Sequence, residues 1–155
     1  MTDLPPDLYA AVCDRMPIAR LAVIDDTGVP DVMPIVFARI GTALYSPIDG
    51  KPKKSPRLSR LAHVAARPAV GLVIDHYAPD WSSLWWVRIA ARARIAHDDD
   101  AAWAQAVGAL RAKYPQYATT ALFEGPPTML VFEPRTVRWW AAGGAASLRA
   151  WSAPA

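Results

Sequence analysis

From Trp85 to Ile95 the sequence alternates. Val87, Ile89, Ala91, Ala93 and Ile95 fall on one face, and Trp86, Arg88, Arg92 and Arg94 on the other. A period of two sustained over that length predicts one long strand with a single buried face. The other face, with three arginines and a tryptophan, is not an ordinary solvated surface. It pairs with carboxylates, meets a second subunit, or turns toward an anionic ligand. The strand opens inside DHYAPDWSSLWWVR, Asp75 to Arg88, which holds three of the seven tryptophans with a histidine, a tyrosine and two aspartates.

The rest of the chain supplies partners for such a strand. Asp7 to Arg15 predicts a helix with Tyr9, Val12, Cys13 and Met16 on one face, which makes Cys13 a small core hydrophobe. Ile18 to Ile24 is a short apolar run, expected as a strand buried on both faces. Asp25 to Gly28 carries turn chemistry, and Pro30 to Ile40 returns as a second strand. Pro34 cannot donate a ladder hydrogen bond, so it implies an edge, a bulge or a gap whose backbone groups need other partners. Thr42 to Ser46 and Ala69 to Asp75 predict the third and fourth strands. Asp98 to Asp100 announces a helix, with Trp103, Val107, Leu110 and Tyr114 as a core stripe that Pro115 ends. Phe123 to Pro127 is loop. Thr128 to Phe132 and Thr136 to Trp140 form a last strand interrupted by Pro134. The Gly/Ala-rich tail from Ala141 is expected to fray. Six strands, with helices after the third and fifth, predict a mainly β, six-stranded antiparallel barrel with helical decoration.

Between the third and fourth strands lies DGKPKKSPRLSRLAHVAAR, Asp49 to Arg67. Lys51, Lys53, Lys54, Arg57 and Arg60 follow closely with no acid among them. Ser55 is a good N-cap and Pro56 suits the first turn of a helix whose apolar stripe would be Leu58, Leu61, Ala62 and Ala65. A lysine loop feeding a helix N-terminus makes a phosphate seat. A solvated basic loop before a surface helix gives the same pattern.

Composition removes several function classes. With 155 residues and 53 % hydrophobic content the chain is expected to be one folded domain, residues 1–155. A net charge of +3, concentrated locally, favours an anion site over a nucleic-acid-wide basic face. Neither a signal-peptide pattern nor a membrane-length apolar run is visible, so a cytoplasmic protein is expected. The single cysteine excludes an internal disulfide, and His63, His76 and His97 are too scattered for a shared metal. Nor is there a nucleophile–base pair or a glycine-rich dinucleotide loop.

The order of elements, with DGKPKKSPRLSRL followed by DHYAPDWSSLWWVR, resembles the split β-barrel of pyridoxamine-phosphate-oxidase-like proteins. More narrowly it resembles a subgroup of coenzyme F420-dependent oxidoreductases. The resemblance runs to about Trp140, and the tryptophan-rich motif is its more specific part. It implies a homodimer with the cofactor, F420 or alternatively FMN, in a groove at the interface. Carried over, Lys51, Lys53, Arg57 and Arg60 would hold the phosphate. Pro34, Ile35 and Ser46 would wall the groove, and Trp86 and Arg88 would come from the long strand, from the partner subunit. His63 departs from the asparagine many relatives carry there.

Three functions stay in view: a hydride-transferring oxidoreductase acting on a small organic substrate, a non-catalytic cofactor carrier or sensor, and a nucleic-acid binder. The third fits poorly, because the tryptophans sit in patterns that bury them. His76, Tyr77 and Asp80 are the titratable groups beside the tryptophan cluster. His76 is the candidate proton donor, unless Asp75 and His76 merely close a strand and cap a turn.

Overall fold

The structure is a computed structural model that describes residues 4–48 and 57–154, with Arg57 and Leu58 described for backbone only. The long strand sits at its centre. This strand, β6 (Trp85–Ala96), buries Val87, Ile89, Ala91 and Ala93 and exposes Arg88, Ala90 and Arg92, as the alternation requires. It pairs with β5 (Ala69–His76) on one side and β7 (Met129–Ala141) on the other. The hairpin of β1 (Ala19–Ile24) and β2 (Pro30–Ile35) extends the β5 side, and β4 (Ala43–Pro47) with β3 (Ala38–Ile40) extends the β7 side. Every pairing is antiparallel, in the order β2-β1-β5-β6-β7-β4-β3.

Among the described residues seven strands replace the expected six, because the second splits. Ile35 ends β2 at one edge of the sheet, and Ala38 begins β3 at the other. Val36 and Phe37 are the whole bridge between the two edges. The sheet therefore curls into an open barrel, with Pro34 on an edge strand where its missing N–H costs no ladder bond. Where the ladder breaks, the Phe37 N–H donates to the Tyr114 hydroxyl at 3.0 Å.

Pro134 does not interrupt β7, which runs unbroken from Met129 to Ala141. A bulge absorbs the proline: Ala91 faces Pro134 and Ala90 faces Thr136, leaving Arg135 without an opposite residue.

Helix α1 (Pro6–Arg15) buries Leu8, Tyr9, Val12 and Cys13 against the barrel interior. Burial pushes the Cys13 thiol up to about 12, consistent with a core hydrophobe. Helix α2 (Arg57–Ala66) buries Val64 and half-buries Leu61, while Ala62 and Ala65 are exposed, so the expected stripe is rotated. An isopropyl group withdraws more apolar area than a methyl and sets the helix's roll. The predicted Ser55 and Pro56 start lies outside the described residues. In α3 (Trp103–Lys113) Leu110 is buried, with Trp103 and Val107 packed beside it, and Tyr114 is buried just beyond. Asp100 precedes the helix, accepting from the Ala102 N–H at 3.0 Å.

The tail does not fray. Gly144–Ser152 forms α4, with Leu148 fully buried and Trp151 edge-on to Trp85 at 4.6 Å between ring centroids. Arg15 donates to the Trp151 carbonyl at 2.8 Å, and Arg149 pairs with Asp7 at 2.7 Å. Small residues concealed an amphipathic pattern whose two large apolar members, Leu148 and Trp151, stand three apart.

Candidate functional site

Strand pairing lines up the outward side chains of the curled sheet in transverse rows. In the middle row Pro34 faces Arg20, Arg20 faces Val73, Val73 faces Arg88 and Arg88 faces Arg138. One row toward the tryptophan cluster stand Asp75, Trp86 and Trp140. One row the other way, Val32, Ala22, Gly71, Ala90 and Thr136 make a smooth floor. A cation row thus lies between an aromatic row and a row of mostly small side chains.

These rows enclose two concavities of about 570 and 540 Å³ that share Arg20, Val73 and Arg88, so they form one continuous groove. Tyr77, Leu84, Trp85, Trp86 and Trp140 wall the first, and Val32, Gly71, Ala90, Thr136 and Arg138 line the second. At Gly71 an added Cβ would meet nothing within 4 Å, so the glycine leaves the floor open rather than relieving a clash.

The groove is electropositive. Arg20 is neutralised by an ion pair with Asp75. The Arg88 guanidinium lies 4.5 Å from the centre of the Trp86 ring, a cation–π contact of about 0.5–1 kcal/mol at an exposed site. Arg88 and Arg138 form no ion pair with a described residue, yet they stand directly opposite on adjacent strands. Like charges in that relation repel, and an anion across both would relieve them.

The expected site residues divide. Pro34, Trp86 and Arg88 come together on this face. Ile35 is buried in the core, so its side chain cannot wall the groove; strand alternation turns it away from its neighbour Pro34. Ser46 is 3 % exposed on β4, opposite Leu130, and β7 separates it from β6. Arg60 is half-buried on α2. Lys51 and Lys53, and the side chain of Arg57, lie outside the described residues.

His76 stacks on Trp85 with ring centres 6.1 Å apart and is not among the residues that line the groove. Asp80 caps the turn at Trp81–Ser83, accepting from the Ser82 N–H at 3.0 Å and hydroxyl at 2.7 Å. Those bonds hold its carboxyl below the usual range. Tyr77 stands exposed at the groove's end. Among the described residues no three His, Cys, Asp or Glu side chains gather as a metal site would require.

Arg20, Arg138 and Trp140 are groove residues that the sequence reading missed. The first strand was expected to be buried on both faces, but Arg20 is exposed between buried Ala19 and Leu21. That single cation between apolar neighbours was the signal. In β7 the same alternation runs through Val137, Arg138, Trp139 and Trp140, obscured by the proline before it.

An open, curled antiparallel sheet with decorating helices and an outward cationic groove defines a split-barrel protein. Residues 6–141 match the family model of pyridoxamine 5'-phosphate oxidase, and the chain belongs to that family. Among curated proteins none matches this sequence. Solved structures share the fold at low identity. A FAD-binding protein from Mesorhizobium loti superposes with a TM-score of 0.64 at 19 % identity, over 88 % of this chain and 92 % of its own. The heme storage protein HutZ from Vibrio cholerae gives 0.66 at 17 % identity, over 89 % and 94 %. A heme binding protein from Mycobacterium smegmatis gives 0.67 at 15 % identity. There the match covers 92 % of this chain but 57 % of the longer protein.

Proposed function

We propose that the outward groove binds a flavin-type cofactor with an anionic arm, coenzyme F420 or FMN, at the interface of a homodimer. The protein is then an oxidoreductase moving a hydride between that cofactor and a small organic substrate. The observation that carries this reading is the Arg88–Arg138 pair set beside Trp86 and Trp140. Two arginines facing each other across adjacent strands want an anion, and the tryptophans suit an aromatic ring system. Tyr77, Trp86 and Trp140 fit such a ring; the family resemblance assigns its phosphate to Lys51, Lys53, Arg57 and Arg60, and Arg60 stands on α2 outside the groove's lining. The bound cofactor supplies the hydride chemistry; the protein's groups hold and orient it. The choice of F420 over FMN rests on the sequence resemblance.

Both flavin- and heme-binding proteins occur among the structural relatives. Among the described residues no histidine, cysteine or methionine lines the groove, and Tyr77 at its end is the one lining side chain of a type that holds heme iron. The cation and tryptophan rows argue for the flavin, and the side-by-side titration decides. The dimer is supported by Val32 and Trp140, 63 % and 46 % exposed on this face.

The test is affinity for F420, FMN and heme measured side by side, then stopped-flow reoxidation of the pre-reduced cofactor by enones and quinones. Tight F420 or FMN binding with acceptor reduction supports the proposal. Tight binding without turnover leaves a carrier instead. Binding weaker than about 1 mM for both defeats it.

A further inference from the structure

A second cavity, of about 360 Å³, lies away from the groove and shares no lining residue with it. Its walls are Leu4, Pro6 and Tyr9 at the start of α1, and Pro134 and Val137 across the β7 bulge. The β3–β4 turn, Gly41 and Thr42, closes one side. This wall is polar only on paper, because the Thr42 carbonyl already accepts from the Tyr9 hydroxyl at 2.8 Å. The chamber is therefore apolar, within the size range of small-molecule sites.

Two arginines stand at its rim, in different states. Arg39 is held by an ion pair: it donates to both carboxylate oxygens of Asp14 at 3.0 and 2.8 Å and to the Gly41 carbonyl at 2.7 Å. Arg135 makes no hydrogen bond or ion pair with a described residue. It is also the bulge's extra residue, the one position of β7 with no opposite number on β6. Bulges re-aim a side chain, and this one presents a guanidinium that no described residue engages at the mouth of an apolar chamber.

We infer that this cavity is a second small-molecule site, which takes a carboxylate with an apolar tail. The tail fills the chamber and the carboxylate meets Arg135, whose planar fork matches it in two-point fashion. Phosphate or a dianion would bring charge that Arg135, the one unengaged cation among the described lining residues, does not answer, and a neutral apolar molecule would leave Arg135 unused.

The probes are decanoate and its uncharged counterpart decanol, titrated calorimetrically into the full-length protein. Wild type is expected to bind decanoate tighter than about 1 mM. In Arg135→Ala decanoate affinity falls about tenfold while decanol affinity stays put. Thr42→Trp, at an exposed turn position where folding is safe, plugs the mouth and weakens both. The inference is overturned if wild type does not bind decanoate or if Arg135→Ala binds it unchanged. Loss in Arg20→Ala but not in Arg135→Ala also overturns it, since that would place the ligand on the outward groove.

Discussion

The Tyr114 hydroxyl accepts from the Phe37 N–H at 3.0 Å and lies 2.8 Å from the Phe37 carbonyl and 3.0 Å from that of Pro17. One phenol thus serves the backbone at the point where the chain leaves one sheet edge for the other. Without it a buried N–H and a buried carbonyl would both lack a partner.

Tyr114→Phe is accordingly expected to destabilise the fold by about 1–3 kcal/mol, the usual cost of orphaned buried polar groups, read from urea denaturation. A pH signature accompanies it. Burial pushes the Tyr114 phenol up to about 12, whereas in the unfolded chain it titrates near about 10. The folded state therefore holds this proton longer. Its contribution is whole below pH about 10 and is lost as pH rises toward about 12. The difference between wild type and Tyr114→Phe should shrink across that window. A difference that stays constant there would mean the phenol is not what holds Phe37.

Arg88→Ala and Arg138→Ala should each weaken binding of F420 or FMN about tenfold or more, by calorimetry. Neither should lower the melting temperature of the cofactor-free protein, because each removes one of two facing like charges. A fall in melting temperature with unchanged affinity would make the pair structural.

If the outward face is the dimer interface, Trp140→Glu puts a carboxylate into it and light scattering at micromolar concentration should read a monomer. Trp140 is 46 % exposed in the single chain, so the substitution leaves the core intact. A dimer that survives Trp140→Glu has its interface elsewhere.

Helix α4 offers a contrast between two of its residues. Leu148 is fully buried, and Leu148→Ala should cost about 2–5 kcal/mol in unfolding free energy. Arg149, paired with an exposed Asp7, should leave the denaturation midpoint unmoved when replaced by alanine. Were Leu148→Ala equally silent, α4 would not be docked in solution.

Much of the fold was legible because β6 and α3 announce themselves locally. A two-residue period and an acidic start are properties of contiguous sequence. Arg20 was not legible, because one cation in a short apolar run looks like an exception until the neighbouring strands place Arg88 and Arg138 in line with it. The split of the second strand was half visible: Pro34 signalled broken pairing, but the group that repairs it, Tyr114, lies far along the chain. On the outward face, Pro34 was named only through the family resemblance, whereas the positions of Trp86 and Arg88 follow from alternation in β6. Ile35 fails by that same rule, one step out of phase. The cavity beside Arg135 had no signal, because a bulge is a property of two strands together.

The two-residue bridge of Val36 and Phe37 makes the chain intolerant of length changes at one particular place. Most loops absorb an inserted residue at small cost, because both flanking elements can stay where they are. Here the flanks are the two rims of one curled sheet, with β2 registered on β1 and β3 registered on β4. An extra residue at the bridge must either open the seam or slide one rim by a step, and a single step turns every side chain of that strand over. Evolution can lengthen this protein at the β1–β2 turn or in the loop after α3. At the seam it can only substitute.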